Sequence, residues 1–275
     1  MSAALIFVSL CYIGVLFWLA NWGDKTTPRA LKFSHHPFVY ALALGIYCTS
    51  WTYYGAVGTA AASSWHYLPI LLGPALLFLF GQGFLRKLVL VSKKQNITTI
   101  ADFISARYGK RQTTAVMVTM IALLATIPYI ALQLKALSSS FLLLQQDEQL
   151  SGTVLALTGT LIIALFAIFF GTRKVDVTEY RSGLMLAIAF ESIIKLLALV
   201  AVAALALVAL YNQPKHSLNL LTHWQDFNFS SFNFIGQSLI AAAAIICLPR
   251  QFHVTVVDNQ DRKHLLTARW AFPLY

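Results

Sequence analysis

Charged residues are scarce in this chain, and they are missing altogether from long stretches of it. They make up 11% of 275 residues, while hydrophobic residues make up 58%; a soluble domain has about 25% charged residues and alternates apolar with polar faces. The charge-free stretches are residues 1–23, 33–85, 112–134, 149–172, 196–214 and 227–249. A helix needs about 20 apolar residues to cross a bilayer, so these stretches predict a multi-pass membrane protein rather than a soluble domain.

Motifs of soluble-enzyme chemistry are also absent. The sequence has no Walker loop, no Gly-x-Ser-x-Gly nucleophile elbow and no zinc-ligand spacing. Cys11, Cys48 and Cys247 fall in apolar segments without the spacing of a metal site or a disulfide framework. His35 and His36 are adjacent but lack a cysteine or carboxylate partner, so we expect no metal site there. The sequence therefore indicates no catalytic residues in this chain.

The apolar stretches that remain predict an all-α fold with seven transmembrane helices. The predicted spans are residues 2–22, 39–61, 68–91, 113–144, 152–171, 182–211 and 231–249, and residues 269–275 resemble the start of an eighth. No positively charged segment precedes the first span, and its first charges, Asp24 and Lys25, follow it. We therefore expect an uncleaved helix rather than a secretory signal.

The net charge of +10 does not predict nucleic-acid binding, because the basic residues lie in short loops rather than on one folded surface. Cytoplasmic loops of membrane proteins carry an excess of lysine and arginine. Alternate loops of this chain hold 17 of its 20 such residues. They are Lys25, Arg29, Lys32, Arg86, Lys87, Lys93, Lys94, Arg107, Lys110, Arg111, Arg173, Lys174, Arg181, Arg250, Arg262, Lys263 and Arg269. These loops are predicted to be cytoplasmic, with the N-terminus outside and with Asp147, Glu148, Lys215 and Asp226 in the outer loops.

The second predicted span has the composition of a binding element. Residues 45–58 contain three glycines, three serine or threonine hydroxyls and four aromatic rings at membrane depth. Backbone leaves a helix inside a membrane only where it lines a cavity or is buried in protein, and transporters use such breaks to present carbonyl groups to cations. Small residues also let helices pack closely. The segment therefore indicates either an interrupted binding helix or a tightly packed one.

Two charged residues of the sixth predicted span are spaced to pair with each other. Glu191 and Lys195 are four residues apart and share one helix face, so they can form an ion pair inside the membrane. The pair is either a coupling or gating charge or a structural pair that neutralises itself. Lys135, near Gln133 in the fourth span, is expected to extend its ammonium group to the interface.

Between the third and fourth spans, residues 96–112 form an amphipathic cytoplasmic segment. Ile97, Ile100 and Ile104 recur at helical spacing beside charged residues. Thr98 or Thr99 is the predicted N-terminal cap.

Four stretches together resemble the sodium/solute symporter family. They are residues 44–58 (LGIYCTSWTYYGAVG), 100–110 (IADFISARYGK), 127–136 (IPYIALQLKA) and 248–254 (LPRQFHV). The similarity extends over nearly the whole chain. It is closest to the symporter-like N-terminal domain of bacterial sensor histidine kinases that respond to carbon and nitrogen supply.

The resemblance implies a leucine-transporter-like fold with one added N-terminal helix and two inverted five-helix repeats around a midplane site. Residues 1–275 would then form a partial symporter-like domain, which holds the first repeat and the start of the second. Four or more helices would lie beyond residue 275.

The resemblance also implies a binding site at the interruption of the second span. Gly45 and Cys48 would offer backbone carbonyls to a sodium ion, together with hydroxyls from a helix beyond this chain. Proline symporters of the family have an aspartate where this sequence has Tyr47. The substrate contacts implied by position are Ser50, Trp51 and Tyr54.

Two functions follow from the resemblance. One is sodium-coupled transport of a small amino acid such as histidine or proline across the cell inner membrane. The other is solute sensing, in which this domain would signal to an attached histidine kinase, and through it to a response regulator of a two-component system. In the second case the parent protein is an enzyme although this chain holds no catalytic motif. Two further interpretations are a truncated half-transporter and an unrelated polytopic protein.

Overall fold

The computed structural model describes residues 2–25, 27–145, 161, 182–212 and 231–275. Within these ranges all regular secondary structure is helical and there is no β-strand. The helices are α1 Ser2–Gly23, α2 Pro28–Ser34, α3 Pro37–Ala43, α4 Ser50–Ser63, α5 Leu68–Phe80, α6 Gln82–Lys94, α7 Ile100–Arg107, α8 Gln112–Gln145, α9 Ser182–Asn212, α10 Phe232–Cys247, α11 Pro249–Phe252 and α12 His264–Leu274. The all-α prediction is confirmed for this part of the chain.

Within the described ranges, three segments are long and apolar enough to cross a membrane. They are Ser50–Phe80, Gln112–Ser140 and Ser182–Asn212. Two bent helix pairs raise the number to five if each pair is one span, and they are Phe7–Gly23 with Pro28–Ser34 and Phe232–Cys247 with Pro249–Val257. These three to five candidates indicate a multi-pass membrane protein. The predicted span at residues 152–171, except residue 161, lies outside the described residues. So do several predicted loop charges, which are Asp147, Glu148, Arg173, Lys174, Arg181, Lys215 and Asp226.

Two predicted spans differ from the helices that form. Residues 39–61 are divided between α3 and α4, because Cys48 and Thr49 have extended backbone. Residues 68–91 are divided between α5 and α6, which meet at Gly81. The second division arises because residues 82–94 are amphipathic. Helix α6 carries four lysine and arginine residues, and it buries only one face, which includes Leu85, Leu88 and Val89. Helix α6 therefore has the pattern of a surface helix.

Helices α1 and α9 approach each other through glycines. A Cβ atom added at Gly23 would lie 2.7 Å from the Cα of Gly183, and one added at Gly183 would collide with the carbonyl oxygen of Ala20. Asp24 accepts a hydrogen bond from the Gly183 backbone N–H at 2.8 Å. A carboxylate at the N-terminus of a helix satisfies unpaired amides and complements the helix dipole. Asp24 therefore caps α9 from outside that helix.

A second close approach joins α5 to α10. A Cβ atom added at Gly73 would collide with the carbonyl oxygen of Ser238 and lie 2.8 Å from the backbone nitrogen of Ala242. Glycine is therefore needed at position 73 for the two backbones to touch, which is a common way for membrane helices to pack.

The predicted N-terminal cap of α7 is confirmed. Thr99 accepts a hydrogen bond from the Asp102 backbone N–H at 3.0 Å and begins α7. Thr98 donates its hydroxyl hydrogen to the Asp102 carboxylate at 3.1 Å. The two threonines thus fix the first turn of α7.

The apolar core lies where α3, α5, α6, α10 and α12 meet. Its members are fully or nearly buried, and they include Leu44, Phe78, Leu85, Val89, Ile245, Phe252, Leu265 and Phe272. This core anchors the end of α3 at the point where the helix is interrupted, so the interruption has a fixed position.

Candidate functional site

The candidate site is the interruption between α3 and α4. Helix α3 tightens into a 3₁₀ turn at Leu44–Tyr47, and Cys48 (φ −80°, ψ 112°) and Thr49 (φ −116°, ψ −169°) then run extended. The Thr49 hydroxyl caps the next helix by accepting from the Trp51 backbone N–H at 3.4 Å. The loss of helical continuity predicted for this segment is therefore present. The backbone polar groups at the interruption therefore need hydrogen-bond partners outside the helix.

One glutamine of α8 bridges the interruption. Gln133 donates from Nε2 to the Thr49 hydroxyl at 3.1 Å. Its Oε1 accepts a short hydrogen bond from the Ser50 hydroxyl. A single amide thus uses its donor and its acceptor on two consecutive residues at the start of α4, which fixes the orientation of that amide.

The other residues implied as substrate contacts lie on the first turns of α4. Tyr54 and Ser140 of α8 share a hydrogen bond between their hydroxyl oxygens at 2.7 Å. The Trp51 indole covers Gly55, because a Cβ atom at Gly55 would collide with the indole nitrogen. Ser50 and Tyr54 therefore face α8, while Trp51 folds along α4.

The ion pair predicted within the membrane forms and also reaches the interruption. Lys195 Nζ lies 2.6 Å from Glu191 Oε1, and both side chains are about one-third exposed, at 36% and 34%. The same ammonium group donates to the carbonyl oxygen of Cys48 at 3.2 Å. Lys195 therefore connects α9 to the extended backbone, which its i,i+4 spacing did not predict.

Gly45 packs against the end of the described chain. A Cβ atom at Gly45 would lie 2.8 Å from the Ser192 hydroxyl oxygen and 3.0 Å from the Tyr275 ring. The Tyr275 hydroxyl donates to the Ser192 carbonyl at 3.1 Å. The Gly45 carbonyl accepts from the Cys48 backbone N–H at 2.9 Å. Because residue 45 is a glycine, the 3₁₀ turn can lie in contact with both Ser192 of α9 and Tyr275, which follows α12.

The two carbonyl groups expected to bind sodium already have donors. The Gly45 carbonyl accepts a backbone N–H and the Cys48 carbonyl accepts the Lys195 ammonium. A sodium ion at the Cys48 carbonyl would compete with the Lys195 ammonium group for the same oxygen, and the two positive groups would repel each other. The residues in this arrangement therefore do not fit a sodium ion at Cys48.

Tyr47, for which the resemblance implies an aspartate in proline symporters, is hydrogen-bonded to another helix. Its hydroxyl donates to the backbone carbonyl of Ile70 at 2.9 Å. This bond ties the 3₁₀ turn to the first turn of α5. Tyr47 therefore supplies a structural hydrogen bond at this position and no negative charge.

Two of the stretches that resemble the symporter family, residues 127–136 and 248–254, are in contact. Arg250 donates from Nη2 to the Tyr129 hydroxyl at 2.6 Å, and its guanidinium carbon lies 5.3 Å from the centre of the Tyr129 ring. Helix α10 bends by 64° at this point before Pro249–Val257. Helix α8 therefore contacts both interrupted helices, at Tyr129 and at Gln133.

Gln133 is the site residue that sequence reasoning did not select. Its sequence context could have indicated a role, because a polar amide stands there between apolar residues of a predicted membrane span. No cluster of three or more histidine, cysteine, aspartate or glutamate side chains able to hold a metal ion occurs among the described residues.

Comparison with known proteins gives no match to this chain. No family model, curated protein or solved structure was found to match it. A function is therefore inferred from the helical interruption and from the contacts made there.

Proposed function

We propose that this chain is the solute-binding membrane domain of a transporter related to the sodium/solute symporters. The solute is a small amino acid such as histidine or proline. The observation that carries the proposal is the extended backbone at Cys48 and Thr49, which lies between apolar helices and is held by Gln133. Interrupted helices supply unpaired backbone groups to substrates and ions in transporters.

The surroundings of the interruption suit a zwitterionic solute. The start of α4 presents the positive end of a helix dipole to a carboxylate, and Ser50 and Tyr54 carry hydroxyl groups one turn apart. The Trp51 ring provides an apolar surface beside them. In the proposed orientation the N-terminus is outside the inner membrane, and the basic loops are cytoplasmic.

Uptake by proteoliposomes tests this proposal. The protein encoded by the intact reading frame is reconstituted, and entry of radiolabelled histidine and proline is measured with and without a sodium gradient. We expect uptake that Ser50→Trp abolishes, because the indole would fill the space beside Gln133. Thr119→Trp, which places the same ring on an exposed face of α8, is the matched control and should retain uptake.

Solute sensing is the second candidate function, and the same preparation distinguishes it. Saturable binding of histidine or proline without uptake would favour a sensor domain that signals to an attached kinase. Neither binding nor uptake would contradict the assignment of the interruption as a solute site.

A further inference from the structure

The strongest additional observation is the position of the Lys195 ammonium group. It contacts a carboxylate of its own helix, Glu191, at 2.6 Å and the carbonyl oxygen of Cys48 at 3.2 Å. The two contacts come from different elements, because Cys48 lies 147 residues earlier in the chain. The ammonium group thus occupies the space between α9 and the interrupted helix.

We propose that Lys195 is a built-in cation of this site. Its ammonium group takes the place at the Cys48 carbonyl that a free sodium ion would occupy, so solute binding needs no sodium. This inference rests on the proposed function for its link to solute binding, while its claim about sodium stands on the contacts alone.

The Cys48 carbonyl is a natural acceptor for a cation. Thr49 is the cap residue of α4, and its carbonyl already accepts the first helical bond, from Thr52 N–H at 3.0 Å. The Cys48 carbonyl precedes that cap and accepts no hydrogen bond within α4. An unpaired carbonyl at membrane depth costs free energy, and a positive group that binds it removes this cost.

The charge of Lys195 is balanced by a neighbouring carboxylate. Glu191 pairs with it directly, and this neutralises both groups where an isolated charge would be unfavourable. The other titratable groups around the pair are uncharged in their ordinary states: the Cys48 thiol, the Tyr275 phenol beside Gly45 and the Tyr12 phenol of α1, which interacts with Glu191. The ammonium group is therefore the positive charge of this cluster.

Removal of the amine should create a sodium site. Without Lys195, the Glu191 carboxylate and the Cys48 carbonyl, both in contact with the same ammonium group, remain as two oxygen ligands around a vacated position. Carboxylate and carbonyl oxygens are the ligands that hard cations prefer. The carboxylate would also need a new counter-charge, which sodium can supply.

Binding of radioactive sodium to the purified full-length protein tests this directly. We expect no saturable binding to the wild type or to Lys195→Arg, which keeps the charge. Lys195→Met and Lys195→Gln should each gain saturable binding, with at least about tenfold more sodium bound than in wild type. Adding Glu191→Gln to Lys195→Met should remove the gain. Lys135→Met, which deletes another lysine within a predicted span, is the matched control and should gain none.

Solute binding provides a second readout. Radiolabelled histidine or proline should bind the wild type equally with sodium or choline as the salt, whereas Lys195→Gln should require sodium. Saturable sodium binding by the wild type that Lys195→Met leaves unchanged would overturn the inference, as would folded Lys195→Met and Lys195→Gln proteins that bind no sodium. Absence of solute binding in every variant, with the sodium pattern as expected, would contradict the proposed function and leave the built-in cation supported.

Discussion

At the scale of single residues, Gln133 determines how the start of α4 is held. Its amide satisfies the Thr49 hydroxyl and the Ser50 hydroxyl together. Both hydroxyls are half-buried, and removal of the amide would leave the Ser50 hydroxyl without this acceptor and the Thr49 hydroxyl with only the Trp51 N–H. A lost partner for a buried polar group costs about 1–3 kcal/mol. The position of the implied substrate contact Ser50 therefore depends on a residue of another helix.

Replacement of this amide should weaken solute binding. We expect Gln133→Leu to raise the dissociation constant for histidine or proline by about 10- to 100-fold, which corresponds to the loss of about 1–3 kcal/mol. Equilibrium binding to purified protein measures this. Ser138→Ala is the matched control, since that hydroxyl binds only the Leu134 carbonyl of its own helix among the contacts found. Equal affinities of Gln133→Leu and wild type would show that the amide does not support the site.

Part of the site was predictable from the sequence at this scale. The glycines and hydroxyls of residues 45–58 indicated an interruption, because those residue types signal local backbone behaviour. The contacts of Gln133 with Ser50 and of Lys195 with Cys48 join residues 83 and 147 positions apart. Local composition carries no information on such pairings, so only the packed structure supplies them.

At the scale of helices, glycine contacts set the distance between α1 and α9. Gly183 touches Ala20 and Gly23 without a side chain between them, and Asp24 caps α9 at the same place. The glycine contact allows the cap to form, because Asp24 can reach the Gly183 N–H only where the two backbones are close.

A methyl group at this contact should separate the two helices. We expect Gly183→Ala to lower stability by about 1–3 kcal/mol, because overpacking forces backbone shifts. Thermal unfolding in detergent measures the change. Gly14→Ala on α1 is the matched control: a Cβ atom there meets nothing within 4 Å, and alanine is the better helix former. A Gly183→Ala protein as stable as Gly14→Ala would contradict the close approach.

The start of α12 should respond to acid. Burial lowers the pKa of His264, which is 8% exposed, and the nearby Asp261 only partly opposes this effect. The unfolded chain then binds the proton more readily than the folded chain, so the stability contributed by neutral His264 is present above about pH 6.5 and is lost as the pH falls below that value.

Thermal unfolding at about pH 7.5 and about pH 5 tests this expectation. The wild type should lose more stability on acidification than His264→Gln, which cannot gain the proton. The same loss in both proteins would show that another group causes the acid sensitivity.

Helix boundaries were partly predictable at this scale. The predicted spans 113–144 and 182–211 correspond to α8 and α9, because both are apolar over their whole length and contain few charges. The prediction of one span at residues 68–91 follows from the charge-free stretch at residues 33–85, which is long enough for two spans. The second half of residues 68–91 instead forms the amphipathic α6, since Arg86 and Lys87 leave only one face to bury. The amphipathic periodicity of residues 82–94 is the sequence feature that matches the helix that forms.

At the scale of the whole molecule, the distribution of lysine and arginine predicts orientation. Single cysteines at Ser2→Cys and Arg111→Cys, in a variant whose native cysteines are replaced by alanine, should react with a membrane-impermeant maleimide from opposite sides. We expect labelling of position 2 from outside intact cells and labelling of position 111 only after the membrane is opened. Labelling of both positions from the same side would contradict the predicted orientation.

The central claim is that the extended backbone at Cys48 is the solute site. The most direct test is the rate at which N-ethylmaleimide modifies Cys48 in membranes that contain the full-length protein with Cys11→Ala and Cys247→Ala. Because the thiol is half-buried at the interruption, a bound solute should shield it. We predict that histidine or proline slows the reaction severalfold and saturably. A rate that stays unchanged at solute concentrations that saturate uptake would place the solute elsewhere and contradict the account.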